Sequence, residues 1–141
     1  MNKLIFLGGT CNQSTWRDQL TAPNGFEFFN PQLPAGVEWE KHHQDAEEAA
    51  KKNAAIQVYV ITPEMTGVFS IAELVAMAIT DREHLVVGII GEFEPFMQKS
   101  MDATARLVQA QGKYVCRDID DVQGELNLLC LHLENKLENQ S

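Results

Sequence analysis

The segment Leu85-Val-Val-Gly-Ile-Ile90 is apolar on both faces of the strand that it predicts. The segment Ile56-Gln-Val-Tyr-Val-Ile61 is nearly as apolar, and Thr62-Pro63 ends it. Strands that are buried on both faces are typical of the middle of a parallel sheet covered by helices on both sides. These two segments therefore predict the centre of an α/β sheet.

The rest of the chain alternates strand patterns with helix patterns. The further strands are predicted at Lys3–Leu7, Phe26–Phe29 and Lys113–Cys116. The helices are predicted as a short one capped by Ser14 or Thr15 and running through Leu20, a polar one from about Glu38 to Asn53, two with apolar stripes over 71–79 and 97–108, and a long one over 122–137. Five strands alternating with five helices predict a doubly wound sheet with strand order 2-1-3-4-5.

Composition restricts the class of protein. A chain of 141 residues with 45% hydrophobic side chains predicts one domain over residues 1–141. With 20 acidic and 11 basic residues it carries a formal charge of −9, which argues against a nucleic-acid partner. No apolar run approaches a membrane span, and the three cysteines have neither disulfide nor zinc spacing. We expect a cytoplasmic protein that contacts no membrane and uses no metal or cofactor.

The strand order also predicts where a ligand binds. In open α/β sheets, ligands bind beyond the carboxyl ends of the strands, at the point where the strand order reverses. Here that point lies between the first and third strands. We therefore expect a site built from three loops, at Gly8–Ser14, Asn30–Trp39 and Thr62–Ser70.

The first loop allows more than one interpretation. Gln13 stands where a dinucleotide-binding fingerprint has its third glycine, so the loop is either a simple turn or a place where a substrate approaches the backbone at Gly8 and Gly9. Cys11 and Arg17, separated by five residues, have the spacing of a phosphatase phosphate loop. An arginine beside a cysteine stabilises the thiolate that such a phosphatase uses as its nucleophile. The bulky Trp16, however, disfavours a loop that wraps tightly around phosphate.

The tetrapeptide Ser70-Ile-Ala-Glu73 also has two interpretations. Ser-x-x-Glu before an apolar stripe is a capping box, in which Glu73 bonds back to the amide of Ser70. The same position places Glu73 in the first turn of a helix that points at the predicted crevice. An ionised carboxylate there can attack the anomeric carbon of a sugar.

Other candidate residues are weaker. Glu64, Glu92 and Glu94 follow strands and reach the same edge, but such residues are more often solvated. His42 and His43 are adjacent and form no metal-ligating spacing with Asp45. Trp39 can stack on a base or pack in the core.

Taken together, the loops resemble the nucleoside 2-deoxyribosyltransferase-like family. The residues that carry the resemblance are Phe6-Leu-Gly-Gly-Thr-Cys-Asn12, Trp16-Arg17, Phe29-Asn30-Pro31, Tyr59-Val-Ile-Thr-Pro63 and Gly67-Val-Phe-Ser-Ile-Ala-Glu73. The resemblance implies a flavodoxin-like fold, a homo-oligomer whose subunits complete each other's sites, and transfer or hydrolysis at the N-glycosidic bond of a nucleoside or nucleotide.

The resemblance also implies roles for individual residues. Glu73 corresponds to the family's nucleophile, and the sugar is expected over Gly8 and Gly9. Further substrate-binding residues are expected in the same loops, at Thr10, Asn30, Trp39, Thr62, Gly67 and Ser70.

The sequence departs from the family pattern at three positions. Gly67 and Asn53 stand where the family has aspartates, and Phe6 where it has a tyrosine. Two interpretations stay open: other acids, such as Asp45, Glu64 or Glu92, handle the proton, or the protein binds a nucleoside without turnover.

Overall fold

The computed structural model describes residues 2–11, 14–34 and 36–139. Five parallel strands form one sheet in the order β2-β1-β3-β4-β5, as the sequence predicts. The strands are β1 (Leu4–Gly9), β2 (Glu27–Phe29), β3 (Ile56–Ile61), β4 (Leu85–Ile89) and β5 (Val115–Cys116). The α-helices are α1 (Lys41–Asn53), α2 (Phe69–Thr80), α3 (Pro95–Ala110) and α4 (Ile119–Glu138). The fold is of the flavodoxin-like α/β type.

Strand alternation divides the core into two layers. Ile5, Leu7, Val58 and Val60 face one side of the sheet, where α4 covers them. Their neighbours in sequence face the other side, against α1, α2 and α3; this layer includes Phe6, Tyr59, Ile61, Leu74, Ala78, Met101 and Ala105. Successive side chains of a strand point to opposite faces, so a fully apolar strand needs both layers. Tyr59 and Phe6 thus lie on the face that carries α1 and α2.

The prediction of a short helix through Leu20 is wrong in the type of helix. Residues Trp16–Gln19 form a single 3₁₀ turn, and Thr15 caps it with no side-chain hydrogen bond. Ser14 does not cap the turn either, because its hydroxyl donates to the carbonyls of Thr10 and Cys11, at 2.8 and 2.6 Å. The described residues therefore contain four α-helices, and a second 3₁₀ turn at Arg82–His84 precedes β4.

Helix α1 begins three residues later than the composition predicts. Its first turn is fixed at Glu40, whose amide donates to Nδ1 of His43 at 3.0 Å. Satisfying an otherwise unpaired amide in this way defines where a helix starts. Of the predicted ligand loops, Asn12 and Gln13 in the first and Ala35 in the second lie outside the described residues.

Candidate active site

Glu73 lies one turn inside α2, on the side that faces the carboxyl ends of β1 and β3. Its Oε2 accepts hydrogen bonds from Nζ of Lys51 at 2.6 Å and from the hydroxyl of Tyr59 at 3.1 Å. Both bonds go to one oxygen, and Oε1 accepts none from the part of the chain that the structure describes. The carboxylate is thus held at one oxygen, and its side chain keeps 20% exposure.

The capping-box interpretation is wrong. Helix α2 begins at Phe69 with Val68 as its N-cap, and no side chain caps it. Ser70 is therefore already inside the helix, where its amide no longer occupies the position that a capping glutamate reaches. The ammonium group of Lys51 binds the Glu73 carboxylate instead.

A cavity of about 200 Å³ opens beside Glu73. It is bounded by β1 and β3, the start of α2, the loop after β2 and the helix α1. Its wall consists of Phe6, Gly8, Gly9, Cys11, Arg17, Pro31, Trp39, Glu47, Tyr59, Phe69, Ser70 and Glu73. Most of this lining comes from the three segments that the strand order predicts.

Lys51 joins two carboxylates. Its Nζ lies 2.6 Å from Glu73 and 3.2 Å from Oε1 of Glu47, and 5.5 Å from the centre of the Phe6 ring. Burial lowers the pKa of Lys51, but the hydrogen bonds and charges of the two glutamates outweigh it and hold the pKa above its usual value. The lysine is therefore a cation at any physiological pH.

Tyr59 reaches Glu73 because Gly8 has no side chain. Gly8 and Tyr59 are paired across β1 and β3, and a Cβ added at Gly8 would clash with Cε1 of the tyrosine ring. Burial, followed by the charge of Glu73, raises the pKa of Tyr59, so its hydroxyl remains a proton donor. The second glycine has a different reason: Gly9 adopts φ +109° against the backbone of Val60.

Comparison with known proteins shows the family of the chain. A family model described as nucleoside 2-deoxyribosyltransferase like matches residues 2–93, which is more than half of the chain. The chain belongs to the nucleoside 2-deoxyribosyltransferase-like family. The comparison with curated proteins gave no significant match. The matched range runs from before β1 to beyond β4 and contains every residue of the cavity wall.

The structure shows the surroundings of two of the three positions that depart from the family pattern. Phe6 stands in place of the expected tyrosine, and the hydroxyl that bonds Glu73 comes from Tyr59 on the neighbouring strand. Gly67 lines a second cavity of about 210 Å³, and a Cβ added to it meets nothing within 4 Å. This second cavity shares Gly9, Cys11, Phe69 and Ser70 with the first, so the two hollows adjoin.

The predicted substrate-binding residues fall into three groups. Gly8, Gly9, Trp39 and Ser70 line the cavity beside Glu73, and Thr10 and Gly67 line the adjoining one. Asn30 and Thr62 line neither. Oδ1 of Asn30 accepts from the amide of Gln32, and the buried Thr62 donates its amide to Oγ1 of Thr10 at 2.9 Å.

The structure places Trp39 at the edge of the cavity rather than in the core. Its side chain is 49% exposed, and its ring contacts that of His43, with the centroids 5.8 Å apart. A half-exposed indole on a cavity wall is suited to stacking against a flat ring.

The Arg17 side chain binds the backbone of β1 and of the loop that follows it. Its guanidinium donates to the carbonyl of Leu7 from Nε and Nη2, and to that of Thr10 from Nη1 at 2.7 Å. It also lies over the ring of Trp16, and only 4% of it is exposed. In a phosphatase loop the arginine must offer its fork to the phosphate, whereas here the fork binds the backbone.

The acids suggested as proton-handling groups do not line the cavity. Asp45 pairs with Lys41 at 3.6 Å on the exposed side of α1, and Glu64 and Glu92 lie outside the cavity wall. The acid that does line it is Glu47, which the sequence analysis did not select. Its spacing of four residues from Lys51 was the available signal.

Among the described residues, no three metal-binding side chains lie together, and none of the helices is long and apolar enough to cross a bilayer.

Proposed function

We propose that this protein cleaves or transfers at the N-glycosidic bond of a deoxynucleoside, with Glu73 as the nucleophile. One observation carries the proposal: the Glu73 carboxylate is held at Oε2 by Lys51 and Tyr59 beside a cavity, and no described residue bonds Oε1. A carboxylate fixed by one oxygen presents the other in a defined direction, which favours attack on a bound sugar.

The reaction has two steps. Oε1 of Glu73 forms a bond to C1′ of the sugar as the bond from C1′ to the base breaks, and the electron pair leaves with the base nitrogen. Water or a second base then attacks C1′, and the electron pair of the ester bond returns to Glu73. Lys51 and Tyr59 orient the carboxylate before the first step and receive it again after the second.

The residues of the cavity wall suit the two parts of a nucleoside. Gly8 and Gly9 bring their backbone to the wall beside Glu73, which suits the sugar. Trp39, in the same wall, offers a half-exposed aromatic face, which suits the base. We place the sugar over the glycines and the base against Trp39.

A second copy of the chain is part of this proposal. Phe69 borders both cavities and is 72% exposed, and its neighbour Val68 is 68% exposed. Large apolar side chains exposed together mark surfaces that another protein covers. We propose that a neighbouring subunit covers them and completes the site. We also propose that the protein acts in the cytoplasm.

The experiment is a base-release and base-exchange assay. Deoxynucleosides and their 5′-phosphates are incubated with and without a second free base, and products are separated by chromatography. We expect turnover by the wild type and a loss of at least about 10³-fold in Glu73→Gln, because an amide is a poor nucleophile. Glu83→Gln, a change at an exposed residue far from the cavity, is the matched control. Equal turnover by Glu73→Gln would remove Glu73 from the mechanism.

Binding without turnover is the second candidate. The 2.6 Å ion pair to Lys51 favours it, because a carboxylate that shares its charge with an ammonium is a weaker nucleophile. A melting temperature that rises with nucleoside concentration, together with no base release, would support this candidate.

A further inference from the structure

A second carboxylate lies in the cavity beside Glu73. Glu47, on α1, is part of the cavity wall, and its side chain is 23% exposed. Its Oε1 is 3.2 Å from Nζ of Lys51, the same nitrogen that binds Glu73. The two carboxylates come from different helices and meet at one ammonium group.

The shared lysine fixes how far apart the carboxylates are. Because both oxygens contact one nitrogen, they lie within about 6 Å of each other. Enzymes that cleave glycosidic bonds through a covalent intermediate have two carboxyl groups about 5–5.5 Å apart, one as the nucleophile and one as the acid and base. The upper limit set by Lys51 includes that spacing.

Lys51 also explains how two acids tolerate this proximity. Two carboxylates that share a site disfavour each other's ionisation, and a cation between them offsets the repulsion. When Glu73 becomes an ester it loses its negative charge, and Lys51 is then left with Glu47 as its one carboxylate partner. The lysine thus keeps Glu47 in place in both halves of the reaction.

We propose that Glu47 is the general acid and base of the N-glycosidic reaction, a role that rests on the proposed function of Glu73. In the first step Glu47, which takes up a proton from solvent as the nucleoside binds, gives that proton to the base nitrogen as the bond from C1′ breaks. In the second step the Glu47 carboxylate takes a proton from the water, or from the N–H of the acceptor base, as that atom bonds to C1′. Glu47 ends the cycle holding this proton, and Glu73 ends it ionised.

Neighbouring acids do not offer this role. Glu48 is exposed and its Oε1 accepts from Gln44 at 3.1 Å, so it is directed away from the cavity. It provides a matched control, because Glu48→Gln makes the same chemical change one residue along the same helix.

The test compares two nucleosides with different leaving groups. The base of 2′-deoxyinosine needs a proton as it leaves, whereas 7-methyl-2′-deoxyguanosine releases a neutral base without one. We expect Glu47→Gln to slow base release from deoxyinosine by about 10²–10³-fold. Release of the first equivalent of 7-methylguanine should slow by less than about tenfold. Glu48→Gln should match the wild type on both substrates.

The second half of the reaction gives an independent measurement. With the methylated substrate, Glu47→Gln should release one base per site in a burst and then stall, because water is not activated. Azide has no proton to lose, so adding it should restore steady release and yield a deoxyribosyl azide. Equal slowing of both substrates, with no burst and no effect of azide, would overturn the role of Glu47. Failure of the wild type to release base from either nucleoside would instead overturn the proposed function itself.

Discussion

Arg17 lies in the wall of the Glu73 cavity and Lys51 binds Glu73 beside it, and the two cations use their hydrogen bonds in opposite ways. Arg17 donates to the backbone carbonyls of Leu7 and Thr10 and is almost fully buried. Lys51 donates to the carboxylates of Glu47 and Glu73 and keeps 26% side-chain exposure. The arginine therefore stabilises the shape of the loop, whereas the lysine organises the groups that we propose to react.

The comparison shows that a cation near a cavity is not by itself a ligand-binding group. What the cation binds decides its role: carbonyls of its own loop indicate structure, and ionisable side chains that face a cavity indicate chemistry. If this is correct, changes at Arg17 and at Lys51 separate stability from activity.

Arg17→Ala should have the largest effect, and on stability. Removing the guanidinium leaves a buried carbonyl without its donor and removes the contact with Trp16, at a cost of about 2–4 kcal/mol. Thermal unfolding should show a melting temperature lower by roughly 6–12 °C. Arg106→Ala, at an exposed position on α3, is the control. An unchanged melting temperature in Arg17→Ala would show that the carbonyl contacts are dispensable.

Lys51→Met should affect activity more than stability. The methionine keeps most of the side-chain volume but releases both carboxylates, so we expect about 10²-fold slower turnover. Partly exposed ion pairs contribute little to stability, and the melting temperature should change by only a few degrees. A large loss of stability with normal turnover would reverse the comparison with Arg17.

Lys51 also predicts a pH dependence. Its pKa is raised in the folded state, so its ion pairs contribute stability fully below the usual value of 10.5, and that contribution is lost as the pH rises through the folded pKa. The stability difference between wild type and Lys51→Met should therefore be constant below about pH 10.5 and shrink above it. Chemical denaturation at several pH values measures it, and a difference that grows with pH would contradict the assigned ion pairs.

Tyr59→Phe should have a smaller effect. It removes one of the two hydrogen bonds to Oε2 of Glu73 and leaves the lysine in place, so we expect about tenfold slower turnover. The ring still packs over Gly8, and the melting temperature should stay within a few degrees. Steady-state kinetics with a saturating nucleoside provides the measurement, and an unchanged kcat would remove the hydroxyl from the site.

Cys11→Ser should have the smallest effect. The thiol is exposed and its contacts, to the carbonyl of Gly9 and to Nη2 of Arg17, are both 3.8 Å long. We expect less than about a twofold change in nucleoside turnover. A phosphatase activity that disappears in Cys11→Ser and survives in Glu73→Gln would instead revive the phosphate-loop interpretation.

The sequence was sufficient to predict the fold because its signals are repeated along the chain. Strands such as Ile56–Ile61 are buried on both faces, and the alternation of strand and helix leaves few topologies. The short helix at Trp16 was predicted in the wrong form because the side chains of Ser14 and Arg17 bind the carbonyl of Thr10 in the preceding loop, which overrides local capping preference.

The site was less predictable, for a physical reason. Loop positions such as Gly8 and Trp39 follow from topology, but Lys51 and Glu47 lie on a polar helix whose orientation around its axis depends on tertiary packing. In the sequence, nothing distinguishes Tyr59 from the other aromatic residues of the core. Its hydroxyl becomes important only because Gly8 lets the ring approach Glu73.

The central claim is tested most directly by trapping the sugar on Glu73. A 2′-deoxy-2′-fluoro nucleoside slows the second step, so the glycosyl ester should accumulate and be visible by intact-mass measurement. We predict a mass increase of one fluorinated sugar, located by peptide mapping on Glu73 and absent from Glu73→Gln. A wild-type protein that turns over deoxynucleosides yet forms no adduct with any of several bases, or forms it on another residue, would contradict the account.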